Sequence, residues 1–276
     1  MKKKLFVVVI LLISIFAVSC DSEIESLYKN IINQQNSSIT NTSSNTNKSS
    51  LKDKSSYKVE NIEDFQNLII ETRDYVRNGN ILIEVEYFRR IGPFIENKGS
   101  STGSGVIYKG DGNNYYALSN YHVFSNSSIY QFKITILTMD GNTSTGTLLS
   151  YDKDKDLAVV SFSLTSSFDV TIVDIDERLD NPLAKDEFLM AIGNPSGVEG
   201  NVTFGQFKGM ARIANVDYKV IKHSALIYSG NSGGALVDIY GNLVGINTWG
   251  SEDSPDESFA IPLDVINEFL DESGLK

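Results

Sequence analysis

The chain reads as an all-β protein made of two antiparallel barrels, with one short helix before them and one after. Three observations carry that expectation. Beyond Gly79 the apolar residues recur in short runs of strand length. Turn-forming stretches such as Asp111-Gly112-Asn113-Asn114, Asp140-Gly141-Asn142 and Tyr240-Gly241-Asn242 separate these runs. No helical period intervenes until the final residues, and strands without helices between them close on themselves to remove their edges.

The elements follow in order. Lys2, Lys3 and Lys4 precede an apolar run from Leu5 to Val18 broken only by Ser14, then Ala17-Val18-Ser19-Cys20. A basic start, an apolar centre too short for a comfortable membrane span and small residues before a cut site predict a secretory signal peptide over 1–19. Residues 20–56 are expected to form a tether: between Asn33 and Ser56, 18 of 24 residues are Asn, Gln, Ser or Thr. Such a composition cannot bury enough apolar surface to offset the entropy of ordering.

A helix should follow, capped by Asn61, with Ile62, Phe65, Leu68, Ile69, Thr72, Tyr75 and Val76 at helical spacing and an end near Asn78-Gly79. Its apolar stripe would pack on a barrel or on a second subunit. Strands are expected over 81–88, 105–109, 115–119, 131–138, 145–152, 157–162, 171–173, 188–192, 202–210, 219–222, 234–237, 243–248 and 258–261. These place a first barrel over about 81–165 and a second over about 168–262. A closing helix is expected over 263–270.

Three segments carry chemistry. Ser119-Asn120-Tyr121-His122-Val123 supplies a histidine, Asp154-Lys155-Asp156-Leu157-Ala158-Val159-Val160 an aspartate, and Gly230-Asn231-Ser232-Gly233-Gly234 a serine. A serine hydroxyl is a weak nucleophile until a base takes its proton, and that base needs a carboxylate to orient it. The small residues around Ser232 allow a tight turn that can point the N–H groups of Gly230 and Ser232 at one oxyanion. The chain has only two histidines, His122 and His223. Asp152, Asp154 and Asp156 compete as the carboxylate, and Asp156 alone opens an apolar strand against which it could be buried.

These stretches together resemble the chymotrypsin-fold serine proteases, and within them the bacterial HtrA/Deg-like branch. Gly103-Ser104-Gly105-Val106-Ile107 leading into the His122 segment, the Asp156 segment, Ala191-Ile192-Gly193-Asn194-Pro195-Ser196-Gly197, the Ser232 segment, Gly245-Ile246-Asn247-Thr248 and Phe259-Ala260-Ile261-Pro262 keep the family's order over about 81–270. The resemblance implies two six-stranded barrels, a catalytic triad of His122, Asp156 and Ser232, an oxyanion hole from Gly230 and Ser232, and a protease domain over 57–276. Ala235 stands where the family usually has proline after the glycines, and Ser224 where an aspartate often stands.

The resemblance also implies a substrate pocket at Leu226, Asn247, Thr248 and Trp249. Leucine at 226 lacks the carboxylate that would receive a Lys or Arg side chain, and asparagine at 247 lacks the cationic form that would receive Glu. A small or medium apolar residue before the scissile bond is therefore expected. His223, close before the nucleophile, is either a core residue or a wall of that pocket. The junction at Cys20 resembles a lipobox, which implies lipidation of Cys20 and a protein held on a membrane in the extracytoplasmic space of a bacterial envelope.

Composition narrows the partners. The formal net charge is −11 and becomes about −14 without residues 1–19, which hold three lysines and no acid. That acidity excludes nucleic acid. Cys20 is the lone cysteine, so no internal disulfide staples the fold. The sequence offers no metal-ligand cluster, no phosphate loop and no cofactor motif. Protein or peptide substrates and a lipid bilayer through Cys20 are the expected partners, and a homo-oligomer is permitted. A quality-control factor or a surface binding module on a protease fold are the competing readings. Only 14 residues follow Pro262, so no PDZ domain of the kind common in HtrA relatives is expected after the barrels.

Overall fold

Helix α1 (Ile62–Arg77) starts where Asn61 takes extended backbone angles and its side chain accepts from the Asp64 N–H at 3.0 Å. Asp64 reaches back to the Glu60 N–H, so two free amides of the first turn are satisfied reciprocally. Phe65, Leu68, Thr72 and Val76 form its buried stripe. The computed structural model describes residues 59–125, 130–165, 170–194, 200–250 and 257–276. The expected leader, Cys20, the tether and residues 195–197 of the Gly-Asn-Pro turn lie outside the described residues.

Strands β1 (Asn80–Ile91), β2 (Phe94–Asp111), β3 (Asn114–Ser119), β4 (Gln131–Thr138), β5 (Thr143–Asp152) and β6 (Leu157–Ser163) close a first barrel in the order β1-β2-β3-β6-β5-β4. Strands β7 (Phe188–Gly193), β8 (Asn201–Ala211), β9 (Val220–His223), β10 (Ala235–Asp238), β11 (Leu243–Trp249) and β12 (Ser258–Pro262) close a second as β10-β11-β12-β9-β8-β7. Every pairing is antiparallel. The fold is the pair of six-stranded barrels that the sequence predicts.

Two departures are informative. Residues 171–173 are a connection, not a strand. The Val173 N–H donates to the Ile107 carbonyl at 2.9 Å, and Thr171 N–H to Asn78 at 3.4 Å, without a continuing ladder. Val173 is nonetheless fully buried, which is why the segment looks strand-like in sequence. Conversely, β2 is far longer than the expected 105–109. It begins at Phe94 and pairs with β1 across Gly92-Pro93, where Gly92 has φ +59°. After the exposed Phe94 and Ile95, its first half from Glu96 to Thr102 is polar and largely exposed, so it carries no periodic signal.

Burial explains the layout. One cluster fills the first barrel around Ile83, Val85, Ile107, Ile136 and Val160, and a smaller one fills the second around Leu189, Ala191, Leu236 and Ala260. The largest lies between them. It joins Val106, Leu118, Leu157 and Val159 of the first barrel to Met190, Ile192, Val237 and Ile246 of the second, with Phe65 and Leu68 of α1. β7 and β10 are consequently buried on both faces, whereas β5 alternates.

Helix α1 is tied to the second barrel by an edge-to-face contact of Phe65 with Phe188 and by the Thr72 hydroxyl donating to the Ile239 carbonyl at 2.7 Å. Helix α2 (Leu263–Ser273) starts at Pro262, buries Leu263, Val265, Ile266, Phe269 and Leu270, and ends at Gly274 in the left-handed conformation that glycine adopts without cost. Past it, the Leu275 carbonyl accepts from the Tyr108 hydroxyl at 2.9 Å, so the chain returns to β2 of the first barrel.

Candidate active site

The site is built around one carboxylate. Asp156 precedes β6 with φ +53°, a left-handed conformation uncommon outside glycine. The conformation turns its carboxylate towards the short turn Tyr121–Val123 that follows β3. Asp156 Oδ1 accepts from the His122 backbone N–H at 3.0 Å, and Oδ2 lies 2.8 Å from His122 Nδ1. The Asp156 carbonyl accepts from Asn120 Nδ2 at 2.9 Å and from the Tyr121 N–H at 3.2 Å. Thr248, at the end of β11 in the second barrel, donates its hydroxyl to the same Oδ2 at 2.9 Å.

A carboxylate has only acceptors, so His122 Nδ1 carries the proton and Nε2 keeps its lone pair for a proton from outside. The Asp156 side chain is 14% exposed and that of His122 44%, an anchored acid beneath an accessible base. A cleft of about 410 Å³ opens beside them, lined by Tyr121, His122, Lys153, Asp154, Val216 and Trp249 among others.

Ser232 stands on the turn before β10, next to Thr248 of the cleft wall. Its hydroxyl donates to the Thr248 carbonyl at 3.3 Å, and among the described residues no hydrogen bond joins it to His122. Such contacts commonly tighten only when substrate arrives. The turn itself is over-determined. The Asn231 N–H bonds the Tyr228 carbonyl at 3.0 Å with Gly230 at φ +100°, a turn whose third position needs glycine. Buried Ser104 of β2 donates its hydroxyl to the Gly230 carbonyl at 2.7 Å, and its N–H to the Ser232 carbonyl at 2.8 Å. Gly233, at φ +87°, has no room for a Cβ beside the Ser104 carbonyl and the Ser119 hydroxyl. Neither the Gly230 nor the Ser232 N–H has a backbone acceptor among the described residues, which leaves that pair free for an anion.

The residues named from sequence for the pocket divide. Leu226 is half-buried, and its carbonyl accepts from the Thr203 hydroxyl at 2.8 Å. Thr248 and Trp249 border the cleft. Asn247 is fully buried: its Nδ2 donates to the Ala235 carbonyl at 2.8 Å, and its backbone carbonyl accepts from the Gly233 N–H at 2.9 Å. It thus braces the Ser232 turn from behind. Ile227 is buried and packs against Gly250, where a Cβ would meet its side chain at 3.0 Å. Ser104 and the Thr248 hydroxyl were missed as parts of the machinery, because a serine and a threonine in strands carry no motif.

His223 belongs to the core. It lies in β9 beside Ile221 and opposite Phe207, with no exposure. Burial pushes its pKa down to about 3, and the neighbouring Ala225 backbone counteracts this only weakly; neither ring nitrogen reaches a side-chain partner. It is neutral at working pH and is no titrating wall of a pocket.

The comparisons with known proteins agree with this geometry. The description of the trypsin-like peptidase domain matches residues 103–246. The chain belongs to the trypsin-like peptidase family. It is 31% identical over 198 residues to serine protease HTRA1 of Xenopus tropicalis, covering 70% of this chain and 40% of that protein. It is 33% identical over 180 residues to the serine protease Do-like HtrB of Bacillus subtilis, covering 61% of this chain and 38% of that one. The crystal structure of a serine endoprotease from Yersinia pestis superposes with a TM-score of 0.58 at 26% identity, covering 74% of this chain and 66% of that chain. The chain thus spans about two fifths of the length of the curated relatives it matches.

A pH dependence of stability follows from His223. The folded state refuses a proton that the unfolded chain takes below about pH 6.5, so the contribution is intact above that pH and is lost as pH falls towards 3. Between pH 7 and 5 wild type should lose on the order of 2 kcal/mol more than His223→Leu in urea unfolding. Equal losses in the two proteins would contradict the neutral buried imidazole.

Proposed function

We propose that this chain is a serine endopeptidase that hydrolyses protein substrates through an acyl-enzyme. The 2.8 Å contact of His122 Nδ1 with Asp156 Oδ2, set beside the Ser232 turn, carries the reading. His122 Nε2 takes the hydroxyl proton as Ser232 Oγ bonds to the scissile carbonyl carbon. The Gly230 and Ser232 N–H groups receive the oxyanion. The C–N bond then breaks and His122 protonates the leaving amine. Water, deprotonated by the same imidazole, next cleaves the Ser232 ester and restores the hydroxyl. Asp156 and Thr248 hold the imidazole in one tautomer and stabilise its charged form. Each oxyanion donor is worth about 10²–10³ in rate.

Incubated with a fluorophosphonate, the full chain should be labelled at Ser232. Ser232→Ala should abolish labelling and peptide cleavage, and His122→Ala should nearly do so, since triad members act as a unit. Full activity in either variant overturns the assignment.

The specificity reading is an apolar residue of small or medium size before the scissile bond. Leu226 supports it, because an ion placed beside it would stand unpaired at a cost of roughly several kcal/mol. An apolar side chain instead gains about 25 cal/mol per Å² removed from water. Cleavage-site profiling should give Val, Ala, Ile or Leu, with the same preference at pH 5.5 and 8 because His223 does not titrate there. A preference for Glu, Lys or Arg would refute it.

The cellular reading is a protease lipidated at Cys20 and held on a bacterial membrane outside the cytoplasm, with the Asn/Ser-rich segment as spacer. The basic and apolar start of the chain and the single cysteine at its end support this. Wild type should incorporate labelled fatty acid and fractionate with membranes, and Cys20→Ser should do neither. Lipid on the Cys20→Ser protein would rule out the anchor.

A further inference from the structure

Of His122, Asp156 and Ser232, only Asp156 has a positive φ. A left-handed aspartate costs of order 1 kcal/mol or more and persists only where its surroundings dictate it. The peptide plane between Lys155 and Asp156 is rigid. Turning it changes ψ at Lys155 and φ at Asp156 together, so whatever holds the Lys155 carbonyl sets the strained angle.

That carbonyl is held from the other barrel. Tyr218, in the connection between β8 and β9, donates its hydroxyl to it at 2.8 Å. The ring of Tyr218 packs against the cluster between the barrels. Burial raises the phenol pKa, and the charges of Asp156 and Asp152 add to the rise, so the hydroxyl stays a neutral donor over the range in which an imidazole base works.

A second fixing acts through the Lys155 side chain, which is 17% exposed. Its ammonium lies 2.6 Å from Glu272 and 3.3 Å from Glu268, both on α2, and 3.8 Å from Asp152. Asp152 closes the turn by accepting from the Asp154 and Lys155 N–H groups at 2.8 and 2.9 Å. The loop that bears the acid belongs to the first barrel, yet both of its outer fixings come from elements of the second.

We propose that Tyr218 is a positioning residue for the acid of the triad. It clamps the Lys155 carbonyl, seconded by the Lys155–α2 ion pairs, and so keeps Asp156 left-handed with its carboxylate on His122. The inference rests on the reading of Ser232, His122 and Asp156 as a catalytic unit.

The full chain carrying Tyr218→Phe, Lys155→Gln or Lys155→Arg tests it. Three readings are taken: steady-state peptide cleavage, the rate of fluorophosphonate labelling, and the low-field proton resonance of His122 Nδ1–H. Loss of one neutral hydrogen bond corresponds to about five- to tenfold in the population of the held conformer. Tyr218→Phe should therefore lower kcat and the labelling rate by that factor, leave KM unchanged and broaden the resonance. Lys155→Gln should move the same quantities in the same direction, and Lys155→Arg should keep wild-type values. Wild-type kcat and a sharp resonance in Tyr218→Phe would overturn the inference, as would a raised KM at constant kcat. If Tyr218→Phe does not fold, the two Lys155 variants decide by the same readings. A wild type that neither cleaves nor labels would refute the catalytic reading instead, while the resonance would still judge the clamp.

Discussion

The apolar layer between the two barrels is the constraint on which the rest of the structure depends. Neither barrel holds a site. The first supplies His122 and Asp156, and the second supplies Ser232 and the Thr248 hydroxyl that braces Asp156. What sets these pieces within hydrogen-bond reach is the packing of Val106, Leu118 and Val159 against Met190, Val237 and Ile246. Interiors pack as densely as organic crystals, so such a layer fixes relative position to fractions of an ångström. Polar stitches then refine it. Ser104 of the first barrel bonds both ends of the Gly230–Ser232 turn of the second. Asn194 of the second donates to the Ile81 carbonyl of the first at 2.8 Å.

The electrostatics concentrate on one side of the imidazole. Asp156 accepts two hydrogen bonds from His122 and one from Thr248, so its charge is satisfied before any substrate binds. The amides proposed to receive the oxyanion are treated in the opposite way: among the described residues the Gly230 and Ser232 N–H groups have no backbone acceptor, and Gly230 takes φ +100°, which favours glycine. One half of the site is thus saturated, ready for a positive charge on the imidazole, and the other keeps its donors open for a negative one.

Much of this was legible in the sequence, for identifiable reasons. Helix α1 announced itself by Asn61 and a strict apolar spacing, and the His122–Asp156 contact by two of three motifs in order. The first half of β2 was hidden because a strand of polar and glycine residues, paired on one side and wet on the other, has no period to read. Ser104 and the bond from the Thr248 hydroxyl to Asp156 were hidden because they depend on what stands opposite them across the fold. Residues 171–173 misled in the other direction, since burial of Val173 mimics a strand where no ladder exists. His223 stayed open between core and pocket because Lys222 and Ser224 beside it are polar; its pairing with Phe207 and its burial are visible only in the fold.

Division of the cleft between two closed barrels has a consequence for a molecule surrounded by copies of itself. Under the endopeptidase activity proposed above, unfolded chain is the easiest substrate, so any molecule that opens becomes food for its neighbours. The same opening that bares its strands parts His122 from the Ser232 turn. Such a molecule is disarmed at the moment it becomes vulnerable, and cannot consume itself from within. Self-digestion is then always an encounter between an intact molecule and a failing one, and its rate scales with crowding as well as with the frequency of opening.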